Sequence, residues 1–248
     1  MKIYFSSDFH LGVPDQASSL EREKSICLWL EMAAKDATEI YLMGDIFDFW
    51  FEYRKAVPKG FVRLLGTIAY ITDKGIPVTV FKGNHDMWMF GYLEKECGVK
   101  TVSDEIIIER NQKTFYLHHG DGLGPGEHGY KILRKIFRSR VCQALFGFLH
   151  PNIGISLANF LSRKSRIQQK GRFETYLGDD KEFLTSFAKE HLKKQHIDFF
   201  VFGHRHLALD INLGENSRYI NLGEWMHEKK YAVFDGENMQ LKGWENLT

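Results

Sequence analysis

The chain has 248 residues, 44% hydrophobic and 26% charged, which suits one large α/β domain or one domain carrying an insertion. Its three cysteines, Cys27, Cys97 and Cys142, are scattered and odd in number, which argues against a disulfide framework or a thiolate zinc site and for a reducing compartment. The opening "MKIYFSSD" meets Asp8 too early for a signal-peptide apolar region, and no run reaches the ~18 apolar residues of a membrane span, so a cytosolic protein is expected.

In chain order, residues 2–6 read as a first strand, and "SLEREKSICLWLEMAAK" has helical spacing through Leu20, Ile26, Leu30 and Ala33. "EIYLM" is a second buried strand, 61–72 a helical stretch and "IPVTVF" a third strand. Strand, helix, strand, helix, strand predicts a parallel sheet with right-handed crossovers. "EIIIER" and "KTFYLHH" follow as a hairpin or meander. A block at 128–173 contains no Asp or Glu but ten of the chain's 33 Lys and Arg, leaving 23 basic against 32 acidic residues elsewhere. A basic block inside an acidic body implies a separate surface for an anionic partner. Beyond it lie a helix over 181–194, the strand "DFFVF" and the short strands "LALDINL", "RYINLG", "KYAVFD" and "MQLKGW". The expected architecture is α/β, with two mixed sheets packed face to face and helices outside.

Polar clusters recur directly after apolar strands. "YFSSDFH" carries Asp8 and His10, "YLMGDIFD" Asp45 and Asp48, "VFKGNHD" Asn84, His85 and Asp86, "FYLHHGD" His118, His119 and Asp121, and "FVFGHRH" His204 and His206. Any one of these could be a helix cap or a turn. Together they predict one rim, because ligands of open α/β sheets bind beyond the carboxyl ends of the strands. Carboxylate, imidazole and amide donors without thiolate suit manganese, iron or zinc. Their number exceeds what one ion needs, so two ions sharing a carboxylate are expected, about 3.5–4 Å apart as in phosphoryl-transfer sites.

The ordered pattern D-x-H, G-D, G-N-H-D, H and G-H-x-H resembles the calcineurin-like metallophosphoesterases over nearly the whole chain. The resemblance implies a four-layered α/β/β/α sandwich and a dinuclear metal centre. It assigns one ion to Asp8, His10, Asp45 and His206 and the other to Asp45, Asn84, His119 and His204, with Asp45 bridging. His85 would then be an outer-sphere group that stabilises the transition state or protonates the leaving group, and Asp48 the carboxylate that orients it.

The basic block would choose the substrate. Leu133, Phe137, Val141, Leu145 and Phe148, widened by Ile132 and Ile136, recur at near-helical intervals, and Ile155, Leu157, Phe160 and Leu161 repeat the design after "HPN". Two basic amphipathic helices joined by a Pro-containing turn are predicted, suited to an anionic membrane surface or a phosphorylated lipid. Nucleic acid fits less well: the block has no Trp and one Tyr, and its Phe residues fall at apolar positions rather than as stacking platforms.

An insertion straight after "HGD", opening with Gly-Tyr and closing in "SRKSR", is similar to the UDP-2,3-diacylglucosamine pyrophosphatases of lipid A synthesis. That resemblance implies a core at 1–123 and 174–248 with a helical lid at 124–173, and Mn²⁺ as the ion. It implies hydrolysis of UDP-2,3-diacylglucosamine to UMP and 2,3-diacylglucosamine 1-phosphate, and peripheral attachment to the cytosolic membrane face. Tyr130 matches the lid-entrance tyrosine, and Arg163 and Arg166 are candidates to hold the pyrophosphate. One departure stands out: His85 occupies the place of an arginine in the proteobacterial enzymes. The alternative is a phosphodiesterase or phosphatase for another lipid phosphate, a nucleotide or nucleic acid.

Overall fold

The computed structural model describes all residues except 125–127, 170–175, 177, 179–181, 215 and 246–248; at 128 and 163–169 it describes the backbone alone. The first half alternates strand and helix: β1 (Ile3–Ser6), α1 (Gln16–Ala33), β2 (Glu39–Leu42), α2 (Val62–Asp73), β3 (Val78–Phe81), α3 (Tyr92–Cys97) and β4 (Lys100–Val102). A hairpin, β5 (Ile106–Arg110) and β6 (Lys113–Leu117), leads to three helices, α4 (His128–Arg138), α5 (Arg140–Gly147) and α6 (Pro151–Gln169). Then follow α7 (Phe183–Leu192), β7 (Phe199–Phe202), β8 (Ala208–Gly214), β9 (Ser217–Leu222), β10 (Lys230–Phe234) and β11 (Met239–Gly243).

The strands form two sheets, ordered β11-β10-β1-β2-β3-β4 and β5-β6-β7-β9-β8. β1 to β4 run parallel, as do β6, β7 and β9; β10 joins β1 antiparallel, and the hairpins β10–β11, β5–β6 and β8–β9 supply the other antiparallel pairs. Strands covered on both faces are apolar throughout, which explains why "IYFS" and "FFVF" are buried at every position. The sheets share a core that includes Phe5, Tyr41, Phe115, Val201, Ile220 and Phe234. Helices α1 to α3 cover the outer face of the six-stranded sheet through residues such as Trp29, Leu30, Leu64 and Ile68. Helix α7 covers the other sheet through Leu184 and Ala188, against Tyr116, Phe200 and Phe202. This is the α/β/β/α sandwich expected from the sequence.

Three details depart from expectation. The short elements α3 and β4 lie in a stretch with no strong periodicity. The basic block forms three helices rather than two: Ser139 adopts an extended backbone (φ −67°, ψ 126°) that interrupts the helix and starts α5, without a capping bond from its own side chain. Pro151 opens α6 at its first helical position, where its missing N–H has no partner to lose, instead of sitting in a turn.

Candidate metal centre

β1, β2 and β3 end side by side in one sheet, and β6 and β7 end side by side in the facing one, so the five polar clusters meet at one edge of the sandwich. The turn from strand to site is sharp. Asp8 (φ 56°), His10 (φ 44°), Asp45 (φ 52°), His204 (φ 67°) and His206 (φ 54°) all have left-handed backbones. That conformation costs a non-glycine residue about 1–3 kcal/mol and persists where surrounding bonds impose it. Here Asp8 N donates to Gly44 O (3.1 Å), His10 N to Asp45 O (2.9 Å), and His204 N to Asp8 Oδ2 (3.0 Å). Gly83 and Gly203 leave room for the carboxylates: a Cβ at Gly83 would overlap Asp45 Oδ1, and one at Gly203 would overlap Ser7 Oγ and Asp8 Oδ2. Asp86 ties two of the loops together, accepting from Gly83 N (2.8 Å), Ile46 N (2.7 Å) and Phe47 N (3.2 Å).

Two groups of donors share Asp45, and a third, His10 with Asp48 and His85, adjoins the first through His10. One atom each from Asp8, His10, Asp45 and His206 lie within 4.8 Å of one another, and so do one each from Asp45, His119 and His204. In the first group His10 Nε2 faces His206 Nε2 at 3.0 Å, and Asp8 Oδ1 is 3.2 Å from His206 Nε2 and 3.6 Å from His10 Nε2. In the second, Asn84 Oδ1 lies 2.8 Å from His204 Nδ1 and 3.2 Å from His119 Nε2, while Asp45 Oδ2 is 3.4 Å from His119 Nε2. His119 Nδ1 donates to Met43 O (2.7 Å), which turns Nε2 toward the group.

Divalent cations fit these donors. Among the described residues, the fully buried Asp8 Oδ1 makes no well-formed hydrogen bond and faces only the ring nitrogens of His206 and His10, and a buried carboxylate oxygen in that condition is costly unless positive charge sits beside it. Two imidazole nitrogens 3.0 Å apart can share one proton at most, or both can face a metal ion. The electrostatics agree. Burial alone would raise Asp45, but the His119 and His85 rings outweigh it and hold the carboxyl well below its usual range. Burial opposes a charge on His119, yet the Asp45 carboxylate pushes its pKa up to about 10, and a bound cation would take the place of that proton. Burial and the neighbouring His119 bring His204 down to about 3, which keeps it neutral and able to ligate.

His85 and Asp48 stand just outside. His85 N–H donates to Asp45 Oδ1 (2.8 Å), and His85 Nδ1 lies 3.0 Å from Asp48 O and 3.5 Å from Asp48 Oδ1. Asp48 Oδ1 is also 3.5 Å from His10 Nδ1, so one carboxylate serves both rings. Ser162 of α6 donates to Asp48 Oδ2 (2.8 Å) and lies 3.3 Å from His85 Nδ1, joining the basic block to this pair. Tyr130 donates to Asp121 Oδ2 (2.6 Å), and its ring lies 6.4 Å from that of His204. Burial, then Asp121, raises the Tyr130 hydroxyl far above its ordinary value, so it stays a donor. Arg163 and Arg166 fall within α6, but their side chains lie outside the described residues.

Sequence reasoning missed several supporting groups. The buried Arg22 donates to Phe9 O (2.7 Å), His10 O (2.7 Å) and Val13 O, clamping the loop that carries His10. Arg205 pairs with Glu182 beneath the last loop. Helices α4 and α5 rest on an aromatic seat. Phe146 packs on Trp88 (4.7 Å) and Phe51 (4.8 Å), Phe137 packs on Trp88 (5.4 Å), and Trp88 Nε1 donates to Phe137 O (2.8 Å). The dense aromatics of "FDFWFEY" and "MWMF" are the readable signal for that seat.

Comparison with known proteins agrees with this geometry. Residues 1–208 match the model of the calcineurin-like phosphoesterase family. A UDP-2,3-diacylglucosamine hydrolase from Porphyromonas gingivalis is 38% identical, covering 99% of this chain and 98% of its own. One from Aeromonas salmonicida is 26% identical, covering 98% and 93%. Among solved structures, the phosphoesterase Yfce from E. coli aligns over 100% of this chain and 96% of its own, at 15% identity and a TM-score of 0.48. With the family match spanning most of the chain and a relative aligned nearly end to end, the chain belongs to the calcineurin-like phosphoesterases, metal-dependent hydrolases.

Proposed function

We propose that the protein hydrolyses the pyrophosphate bond of UDP-2,3-diacylglucosamine to UMP and 2,3-diacylglucosamine 1-phosphate. The observation that carries this reading is the pair of donor groups sharing Asp45, set beside a basic, apolar three-helix lid. The substrate itself follows from the P. gingivalis relative's end-to-end similarity.

Mn²⁺ is the proposed ion, since the donors are oxygen and imidazole without thiolate. When bound, a pair of such ions supplies Lewis-acid polarisation of the phosphoryl oxygens and an acidified water. Asp8, His10, Asp45 and His206 would hold one ion, and Asp45, Asn84, His119 and His204 the other. Asp45 keeps both groups at a fixed spacing, its Oδ1 anchored by the His85 backbone N–H. The His85 ring, oriented through Nδ1 at Asp48, presents Nε2 as the proton donor to a phosphoryl or leaving-group oxygen. Its contribution is that of a general acid, on the order of 10²–10⁴-fold.

The lid, proposed at 124–173, would bind the lipid. Ile132, Leu133, Ile136, Val141, Leu145, Phe148, Leu157, Phe160 and Leu161 are large apolar side chains left exposed on α4 to α6. An exposed apolar surface of this extent calls for a partner. Acyl chains and the inner face of the cell membrane fit it, with the flanking Lys and Arg meeting phosphates. The protein would thus be a peripheral enzyme of the cytoplasmic side; no described helix is long and apolar enough to cross a membrane. Tyr130 at the entrance, with Arg163 and Arg166, is proposed to contact the sugar phosphate and pyrophosphate.

Turnover of UDP-2,3-diacylglucosamine by the manganese-loaded protein in ¹⁸O-water tests the reading. Label is expected in UMP. Label only in the sugar lipid phosphate would reject attack at the uridine-side phosphorus. Preference for an aryl phosphodiester in direct competition would favour the alternative phosphodiesterase.

A further inference from the structure

The buried Glu182–Arg205 pair lies outside the donor groups but adjoins the loop that carries His204 and His206. Arg205 separates His204 from His206, and the two flanking histidines are both left-handed. Both histidines turn their rings to the donor groups, while the guanidinium turns to α7. Arg205 Nε donates to Glu182 Oε2 (2.8 Å) and one terminal nitrogen donates to Glu182 Oε1 (2.7 Å), a two-point fork. The two residues are 3% and 1% exposed.

Glu182 is itself fixed as the residue that opens α7, its carbonyl accepting from Ser186 N (2.9 Å). The next residue, Phe183, stands edge-on to the His204 ring at 6.4 Å, with the Arg205 guanidinium 6.0 Å over its own ring. On the opposite end of the loop, Gly203 N donates to His119 O (2.9 Å) and Asn221 Nδ2 to Gly203 O (2.6 Å). The peptide bearing both histidines is therefore pinned at Gly203 and at Arg205.

A buried ion pair is a poor source of stability, because desolvating both charges offsets their attraction. A planar fork is a good source of position, because two parallel bonds fix both place and orientation. The geometry points to Glu182 and Arg205 as positioning residues: they set the spacing of His204 and His206, which serve different ions of the pair. They also fasten the metal-facing loop to the start of α7, the helix that follows the lid in the chain. This inference rests on the two-ion reading above.

The test compares Mn²⁺ affinity, read from free Mn²⁺ by electron paramagnetic resonance, with the melting of the metal-free protein. Arg205→Lys keeps the charge but lacks the fork. The double change Arg205→Met with Glu182→Leu replaces the pair by apolar groups of similar size, which buried pairs commonly tolerate. Mn²⁺ affinity is expected to fall about 10–100-fold in both, the range for outer-shell partners of ligands, with little change in melting of the metal-free form. Unchanged affinity in both variants overturns the inference. Affinity lost only in step with a failing metal-free fold also overturns it, by making the pair structural. A wild-type protein that binds fewer than two Mn²⁺ rejects the two-ion reading itself, and the inference falls with it.

Discussion

Asp45 is the residue common to the Asp8–His10–Asp45–His206 group and the Asp45–His119–His204 group. Replacing it by alanine should abolish binding of at least one Mn²⁺ and remove most turnover, checked by metal content of the purified protein beside its activity; full metal content would contradict the shared-ligand role. His85→Ala should keep both ions, since His85 belongs to neither group that shares Asp45 and turns its Nδ1 to Asp48, and should lower kcat on the order of 10²–10⁴-fold. Metal content equal to wild type with unchanged kcat would remove His85 from the chemistry. The side chains that meet at the site are legible in the sequence, because polar groups crowded at the end of an apolar run are hard to explain otherwise. Their supports are not. Arg22 is 12 residues from the carbonyl of His10 that it holds, and Ser162 is 114 residues from Asp48. Nothing in local composition marks a lone arginine or serine as the partner of a distant loop.

At the scale of the element, helices α4 to α6 show where periodicity reads well and where it fails. The apolar spacing identifies amphipathic helices, and the acid-free composition identifies their charge. The break at Ser139 escapes because the apolar recurrence continues across it, from Phe137 to Val141. Which apolar residues are anchors and which are offered outward also needs the fold. Phe137 and Phe146 are half-buried against Trp88, whereas Leu133, Leu145 and Phe160 are exposed. Leu133→Ser combined with Phe160→Ser should therefore raise KM for the diacylated substrate more than it lowers kcat, because the lost contacts serve ground state and transition state alike. An unchanged KM measured in mixed micelles would separate the lid from the acyl chains. Phe146→Ala should instead loosen the lid from its aromatic seat, seen as faster hydrogen exchange across α5 and α6.

For the whole molecule, the decisive event is the packing of two sheets, since neither carries the whole of either group that shares Asp45: Asp8, His10 and Asp45 follow strands of one, His119, His204 and His206 strands of the other. Phe115 sits in the shared core, 5.1 Å from the Phe199 ring and 5.0 Å from the Phe234 ring. Phe115→Ala should cost about 3–5 kcal/mol of stability, measured by denaturant unfolding, and should weaken Mn²⁺ binding although the residue touches no donor. The strand ends, the donor types and the basic amphipathic block follow from the sequence alone, because periodicity and composition are local properties of a chain. Asp45 as the shared carboxylate was expected from the ordered motifs; the aromatic seat under α4 and α5 and the buried fork behind His204 and His206 were decided only by tertiary structure. Each depends on which sheet faces which, and that choice is made by a core whose members are drawn from both halves of the chain.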